Sequence, residues 1–125
     1  MIKVLIVEDH LFTREVIKES LTGKISSLVL EEAANGRETL AKVDSFQPDL
    51  IFLDIRLPDE SGLKLLEKIK ARYPEITIII LSSYNLPEYR EFALQHGAAS
   101  FFSKDEMTKK DILSLVQSFS IRYNQ

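Results

Sequence analysis

The sequence contains no cysteine, which excludes a disulfide framework and a thiolate metal site and leaves nothing to tie the chain to an oxidising compartment. Histidine is scarce, at two residues, so a zinc site would lack its usual ligands. No apolar run approaches the roughly 20 residues of a membrane-spanning helix. The opening segment from Met1 to His10 has no small-residue cleavage signature. A soluble, cytoplasmic chain with no membrane partner is therefore expected. A surplus of one charge is lacking too: lysine and arginine are scattered rather than striped and the net charge is -3, so direct contact with nucleic acid is not expected. Glycine and proline number four each, and Gly23, Gly36, Pro48, Pro74 and Gly97 sit singly at joins rather than in repeats or low-complexity tracts.

What is present is a hydrophobic content of 45% in 125 residues, enough to bury one core and to make one domain the expectation. Short β-branched runs alternate with longer segments of helical period. Strands are expected over residues 2–7, 28–33, 50–53, 77–81 and 100–102, and helices over 11–21, 37–46, 62–73, 87–96 and 109–122. Pro87 stands at the first position of the fourth helix, and Thr108 with Asp111 makes an N-cap and third-position acid for the last. Val16, Leu40, Leu66, Phe92, Ile112, Leu115 and Phe119 recur at helical spacing and are expected in the core.

The inner strands, IFL at 51–53 and ITIIIL at 76–81, are apolar on both faces, as strands covered by helices on either side must be. Strict alternation of strand and helix implies a parallel sheet with right-handed crossovers. The result is a doubly wound α/β fold whose ligand crevice lies at the carboxyl ends of the strands. Four strands each deliver a polar residue there: Glu8 and Asp9 after the first, Asp54 after the third, Ser82 after the fourth and Lys104 after the fifth. Asp49 opens the third strand instead, roughly 16 Å from Asp54 at a rise of about 3.3 Å per residue, and receives no function.

Carboxylates gathered in one crevice repel by roughly 4 kcal/mol per pair at 4 Å and an effective dielectric of 20, so the cluster invites a cation. Mg²⁺ fits, since it takes oxygen ligands, one or two carboxylates and phosphate oxygens; Mn²⁺ is the alternative. With its charge neutralised, an aspartate can attack phosphorus as a nucleophile, and Asp54 is placed for it. Lys104 offers an ammonium to the phosphoryl oxygens and the Ser82 hydroxyl a hydrogen bond. His10 and His96 receive no role in this chemistry.

Together these segments identify a resemblance: VLIVEDH at 4–10, PDLIFLDIRLPDESG at 48–62, IIILSS at 78–83 and GAASFFSKD at 97–105 resemble, in order, the motifs of bacterial two-component response-regulator receiver domains of the CheY-like superfamily. The resemblance covers nearly the whole chain. It implies a flavodoxin-like sheet of order 2-1-3-4-5, Glu8 and Asp9 as the acidic pair, Asp54 as the phosphorylated aspartate, Ser82 as the switch hydroxyl and Lys104 as the phosphate-binding lysine. It also implies the Arg56 backbone carbonyl as a further magnesium ligand, and Arg56, Ser83 and Tyr84 flanking the phosphoryl group, with a long-lived phosphoform as the consequence.

Three positions depart from the commonest pattern. Ser82 stands where threonine is usual, Phe101 where an aromatic switch residue is often tyrosine, and Lys104 precedes Asp105 rather than proline, so no cis peptide is expected after it. The EDH start and Lys-Asp ending look most like receivers of regulators with a LuxR-type helix-turn-helix domain. The partners implied are a sensor histidine kinase, an output domain or effector at the face of the fourth helix, fifth strand and fifth helix, and a second copy of the chain upon phosphorylation. Residues 1–125 read as the receiver unit with no output domain within them, and as no enzyme beyond its own phosphorylation and dephosphorylation. Two competing readings are a single-domain or pseudo-receiver interaction module and a magnesium phosphohydrolase. The latter would want a second aspartate where Arg56 stands.

Overall fold

In the computed structural model, which describes residues 1–123, strands and helices alternate without exception. The order is β1 (Ile2–Val7), α1 (Leu11–Leu21), β2 (Leu28–Ala33), α2 (Gly36–Phe46), β3 (Leu50–Leu53), α3 (Gly62–Arg72), β4 (Thr77–Ser82), α4 (Pro87–Gln95), β5 (Ser100–Ser103) and α5 (Lys109–Tyr123). The strands form one parallel sheet in the order β2-β1-β3-β4-β5. Each expected boundary lies within one residue of the observed one. β4 and β5 run one residue further because Ser82 pairs in register with Ser103, while Tyr73 and His96 leave helical geometry and end α3 and α4.

The period of two in the strands sorts their side chains into two cores. Leu5, Val7, Ile51, Leu53, Ile78, Ile80 and Phe101 face Val43 of α2, Leu65, Leu66 and Ile69 of α3 and Ala93 of α4. Ile2, Val4, Ile6, Leu50, Phe52, Ile79 and Leu81 face Ile17 and Leu21 of α1 and Ile112 and Val116 of α5. Both faces of β3 are thus sealed, which explains its unbroken apolar run.

Two expected core positions are corrected. In α1 Ile17 is buried and Val16 only half so; in α4 the deep residue is Ala93, while Phe92 turns aside to stack on His96 at 3.9 Å between centroids. One residue is about 100° of helix, so the buried stripe lies one step from the phase that the spacing predicts. Leu66 and Ile112 are buried, and Leu40, Leu115 and Phe119 pack against the cores half-buried.

Helix starts follow local chemistry. Thr108 Oγ1 accepts from the Asp111 N–H at 3.1 Å while Asp111 Oδ2 accepts from the Thr108 N–H at 3.0 Å, the reciprocal cap expected for α5. At α2 Asn35 Oδ1 accepts from the Glu38 N–H at 2.8 Å, while the Glu38 carboxylate reaches back to the Ala34 N–H at 3.0 Å and the Asn35 side-chain amide at 3.2 Å. At the amino end of the sheet Asp49 accepts the Lys3 N–H at 2.9 Å, a structural bond far from the crevice. Among the described residues no peptide is cis and no helix is long and apolar enough to cross a membrane.

Candidate functional site

The register sets the carboxyl ends of β1, β2 and β3 level, Val7 pairing with Ala33 on one side and Leu53 on the other, while β4 and β5 run two residues further: Leu53 pairs with Ile80 and Ile80 with Phe101, but their last pair is Ser82 with Ser103. The next residues extend the ladder. The Glu8 N–H donates to the Ala33 carbonyl at 3.0 Å, Asp54 N–H to Val7 at 3.1 Å and Lys104 N–H to Ser82 at 2.9 Å. The side chains that follow are therefore aimed by sheet geometry rather than by flexible loops.

Glu8 and Asp54 are 1% and 4% exposed. Between them lies the Lys104 ammonium, 3.0 Å from Asp54 Oδ2 and ion-paired with Glu8 Oε1. The Arg56 N–H donates to Asp54 Oδ1 at 3.4 Å. Burial, and then the charge of Glu8, push the Asp54 carboxyl up to about 6, against the opposing pull of Lys104. Burial works on Glu8 in the same sense, but the Lys104 bond and the His10 N–H outweigh it and hold Glu8 below the usual carboxylate range. Lys104 is desolvated, which alone would lower it; its bonds to the two carboxylates raise it, so it stays an ammonium.

Asp9, next to the buried Glu8, is exposed. His10 joins the two: its N–H donates to Glu8 Oε2 at 3.1 Å, and its Nδ1 lies 3.4 Å from that oxygen and 3.3 Å from Asp9 Oδ1. Glu8, Asp9 and His10 each place one ligand atom within 4.8 Å of the others. This trio does not include Asp54; its two carboxylates, together with the Asp54 carboxylate that shares Lys104 with Glu8, make an oxygen-rich set of the kind a hard divalent ion takes.

Ser82 is fully buried, and its Oγ accepts the Tyr84 N–H at 2.9 Å rather than meeting Asp54. Ser83 is exposed beside it. The Arg56 guanidinium lies 4.6 Å over the Tyr84 ring, and Tyr84 meets Tyr89 edge-on at 6.5 Å. Phe101 is 2% exposed and turned into the core, with the Arg90 guanidinium 5.2 Å from its ring centre.

The loop after β3 is fastened at its far end: Gly62 N–H donates to the Ile55 carbonyl at 2.7 Å, and Arg56 bridges to Ser61. Asp59 reaches across to α2, where its two oxygens accept the Gly36 N–H at 2.7 Å and the Arg37 N–H at 3.0 Å. The sequence alone assigns His10 no role and does not single out Asp59. Adjacency to the acidic pair was a usable sign for His10; Asp59 had none, because its partners are 22 and 23 residues away.

Residues 4–117 match the family described as the response regulator receiver domain. The chain is similar to the transcriptional regulatory protein YdfI of Bacillus subtilis, 34% identical over 99% of this chain and 57% of that protein. It is also similar to the chemotaxis protein CheY of Listeria monocytogenes, 36% identical over 83% of this chain and 87% of the relative. In three dimensions it resembles a CheY-like receiver domain from Methanospirillum hungatei, with a TM-score of 0.86, 29% identity and coverage of 95% and 93% of the two chains. The chain spans about half the length of several curated relatives that it matches, transcriptional regulatory proteins among them.

Proposed function

The chain belongs to the response regulator receiver family, and from that premise we propose that it is a phosphorylation switch whose acceptor is the Asp54 carboxylate. The observation that carries this is the Lys104 ammonium held between Asp54 and Glu8, in a crevice built from the ends of β1, β3 and β5. A buried carboxylate that is to accept a phosphoryl group needs a cation that can move from carboxylate to phosphate, and Lys104 is that cation. Glu8, Asp9, Asp54 and the Arg56 carbonyl would hold Mg²⁺, or Mn²⁺ in its place. The ion supplies neutralisation of the charge spread over the transferred oxygens.

An Asp54 oxygen attacks phosphorus, the P–N bond to the donor's imidazole breaks, and the electron pair stays on the ring nitrogen. The donor is a sensor histidine kinase, which places the chain in the cytoplasm. Leu11 and Phe12, 63% and 80% exposed at the start of α1 just past His10, give it an apolar contact near the acidic pair. The Ser82 hydroxyl then leaves the Tyr84 N–H for a phosphoryl oxygen. Two charge-assisted bonds, from Ser82 and Lys104, supply about 3 to 6 kcal/mol, the scale on which a two-state equilibrium inverts. The loop before α4 follows Ser82, and the packing of Phe101 passes the change to the face of α4, β5 and α5, where an output domain, an effector or a second copy docks.

The chain catalyses only the gain and loss of its own phosphoryl group. A phosphohydrolase on this frame is disfavoured by Arg56, whose guanidinium is stacked on Tyr84 where a second carboxylate would be wanted. The output is transcription, as in the regulators of which this chain spans about half. The match to most of a CheY protein favours a second reading, a single-domain regulator that works through protein contacts. Intact mass after acetyl phosphate and Mg²⁺ tests the switch. A magnesium-dependent gain of about 80 Da that Asp54→Ala abolishes is expected, and its absence would leave a pseudo-receiver.

A further inference from the structure

The peptide that joins the two acids has an anchor of its own. The Glu8 carbonyl lies beyond the β1 ladder and before α1, and it accepts from Arg14 Nη1 at 2.9 Å. Arg14 Nε in turn donates to Glu32 Oε1 on β2 at 3.1 Å, while Lys18 Nζ stands 3.1 Å from Glu32 Oε2. The Arg14 side chain is 18% exposed, and its fork spans α1, the end of β1 and β2. With its amide bonded to Ala33 and its carbonyl to Arg14, Glu8 is held on both sides. The peptide is planar, so fixing the Glu8 carbonyl fixes the plane that it shares with the Asp9 N–H, and hence the direction in which Asp9 leaves the strand.

We propose that Arg14 is a positioning residue for the divalent-ion site, acting through the Glu8–Asp9 peptide without touching ion or phosphoryl group. This rests on the reading of Glu8 and Asp9 as ion ligands. Charge and position make opposite demands at Arg14. As a bare cation near the acids it would repel Mg²⁺, and its removal would tighten binding. As the group that aims the acids its removal weakens binding.

Calorimetric titration of Mg²⁺ into the chain, with thermal unfolding of each variant, separates the two. Arg14→Gln is expected to weaken Mg²⁺ binding about 10-fold, the usual scale for losing a group that orients a metal ligand. Arg14→Lys keeps the charge but cannot span both anchors, and it too is expected to bind more weakly. Lys18→Gln, which loses a Glu32 bridge but leaves the Arg14 fork, is expected to bind as the wild type does, although it gives up a comparable ion pair. Unchanged or tighter binding by a folded Arg14→Gln overturns the proposal. Should that variant not fold, wild-type affinity in Arg14→Lys overturns it instead. A wild-type chain that binds no Mg²⁺ removes the reading of the ion site itself, and this proposal with it.

Discussion

Gly62 stands so close to Asp54 that a Cβ on it would lie 2.0 Å from the Asp54 carbonyl oxygen and 2.9 Å from the Ile55 Cα. Both atoms belong to the backbone, so no rotamer change can relieve the overlap. Gly62→Ala is expected to lose about 3 kcal/mol of stability or more by urea unfolding, and to take up phosphate from acetyl phosphate more slowly by intact mass. A variant as stable as the wild type would show that the loop can shift freely.

Asp54 carries a stability signature in pH. Its carboxyl is raised from 3.8 to about 6, with burial as the first cause and the Glu8 charge as the second. A carboxyl raised on folding contributes stability that is full below the unfolded value and is lost as pH climbs through the folded one. In chelator at about pH 7.5, Asp54→Asn should therefore be more stable than the wild type by about 1 to 3 kcal/mol. The gain should shrink toward zero near pH 4. Urea midpoints across that range decide it, and a less stable variant at the upper end contradicts it.

The Arg56 guanidinium lies over the Tyr84 ring, and the Arg56 backbone N–H reaches Asp54 Oδ1, so the stacked pair is expected to shield one approach to the Asp54 carboxylate. Removing either partner should open that approach to water and shorten the life of the phosphoform, by about two- to five-fold if the loss is that of an exposed cation–ring contact. Decay of the phosphorylated mass with time gives the rate. Wild-type decay in both Arg56→Ala and Tyr84→Ala would assign the shielding elsewhere.

Asp59 is held below the ordinary aspartate value of 3.8, first by the Gly36 N–H that it accepts. A depressed carboxyl contributes stability above its unfolded value and loses it as pH falls through the folded one. Asp59→Ala should unfold at lower urea than the wild type at neutral pH, and the two curves should converge as the solution is acidified. Parallel curves would mean that the α2 bonds carry no stability.

The architecture was open to reading because β3 and β4 are apolar on both faces, and only a parallel sheet between helix layers explains that. Glu8, Asp54 and Lys104 were legible for a related reason. Each follows the last residue of a strand by one place; the register sets Glu8 and Asp54 level, and the long Lys104 side chain reaches back to both from β5, which runs two residues further. Arg14 and Asp59 were not legible. The one works on Glu8 and Glu32 and the other on Gly36 and Arg37, and nothing local marks either as a partner. The phase of α1 and α4 failed for a different cause: in each helix the deep residue sits next to an apolar neighbour of similar or greater bulk, so the pattern does not say which one faces inward.

The loop after β3 is attached unequally on its two sides. Toward α2 it is riveted by two backbone amides on one carboxylate; toward α4 it is only rested, ring against guanidinium. A disturbance at Asp54 therefore meets a stiff wall and a compliant one. Strain released there is expected to vent toward the α4 side, as through a one-way valve, and to leave α2 still.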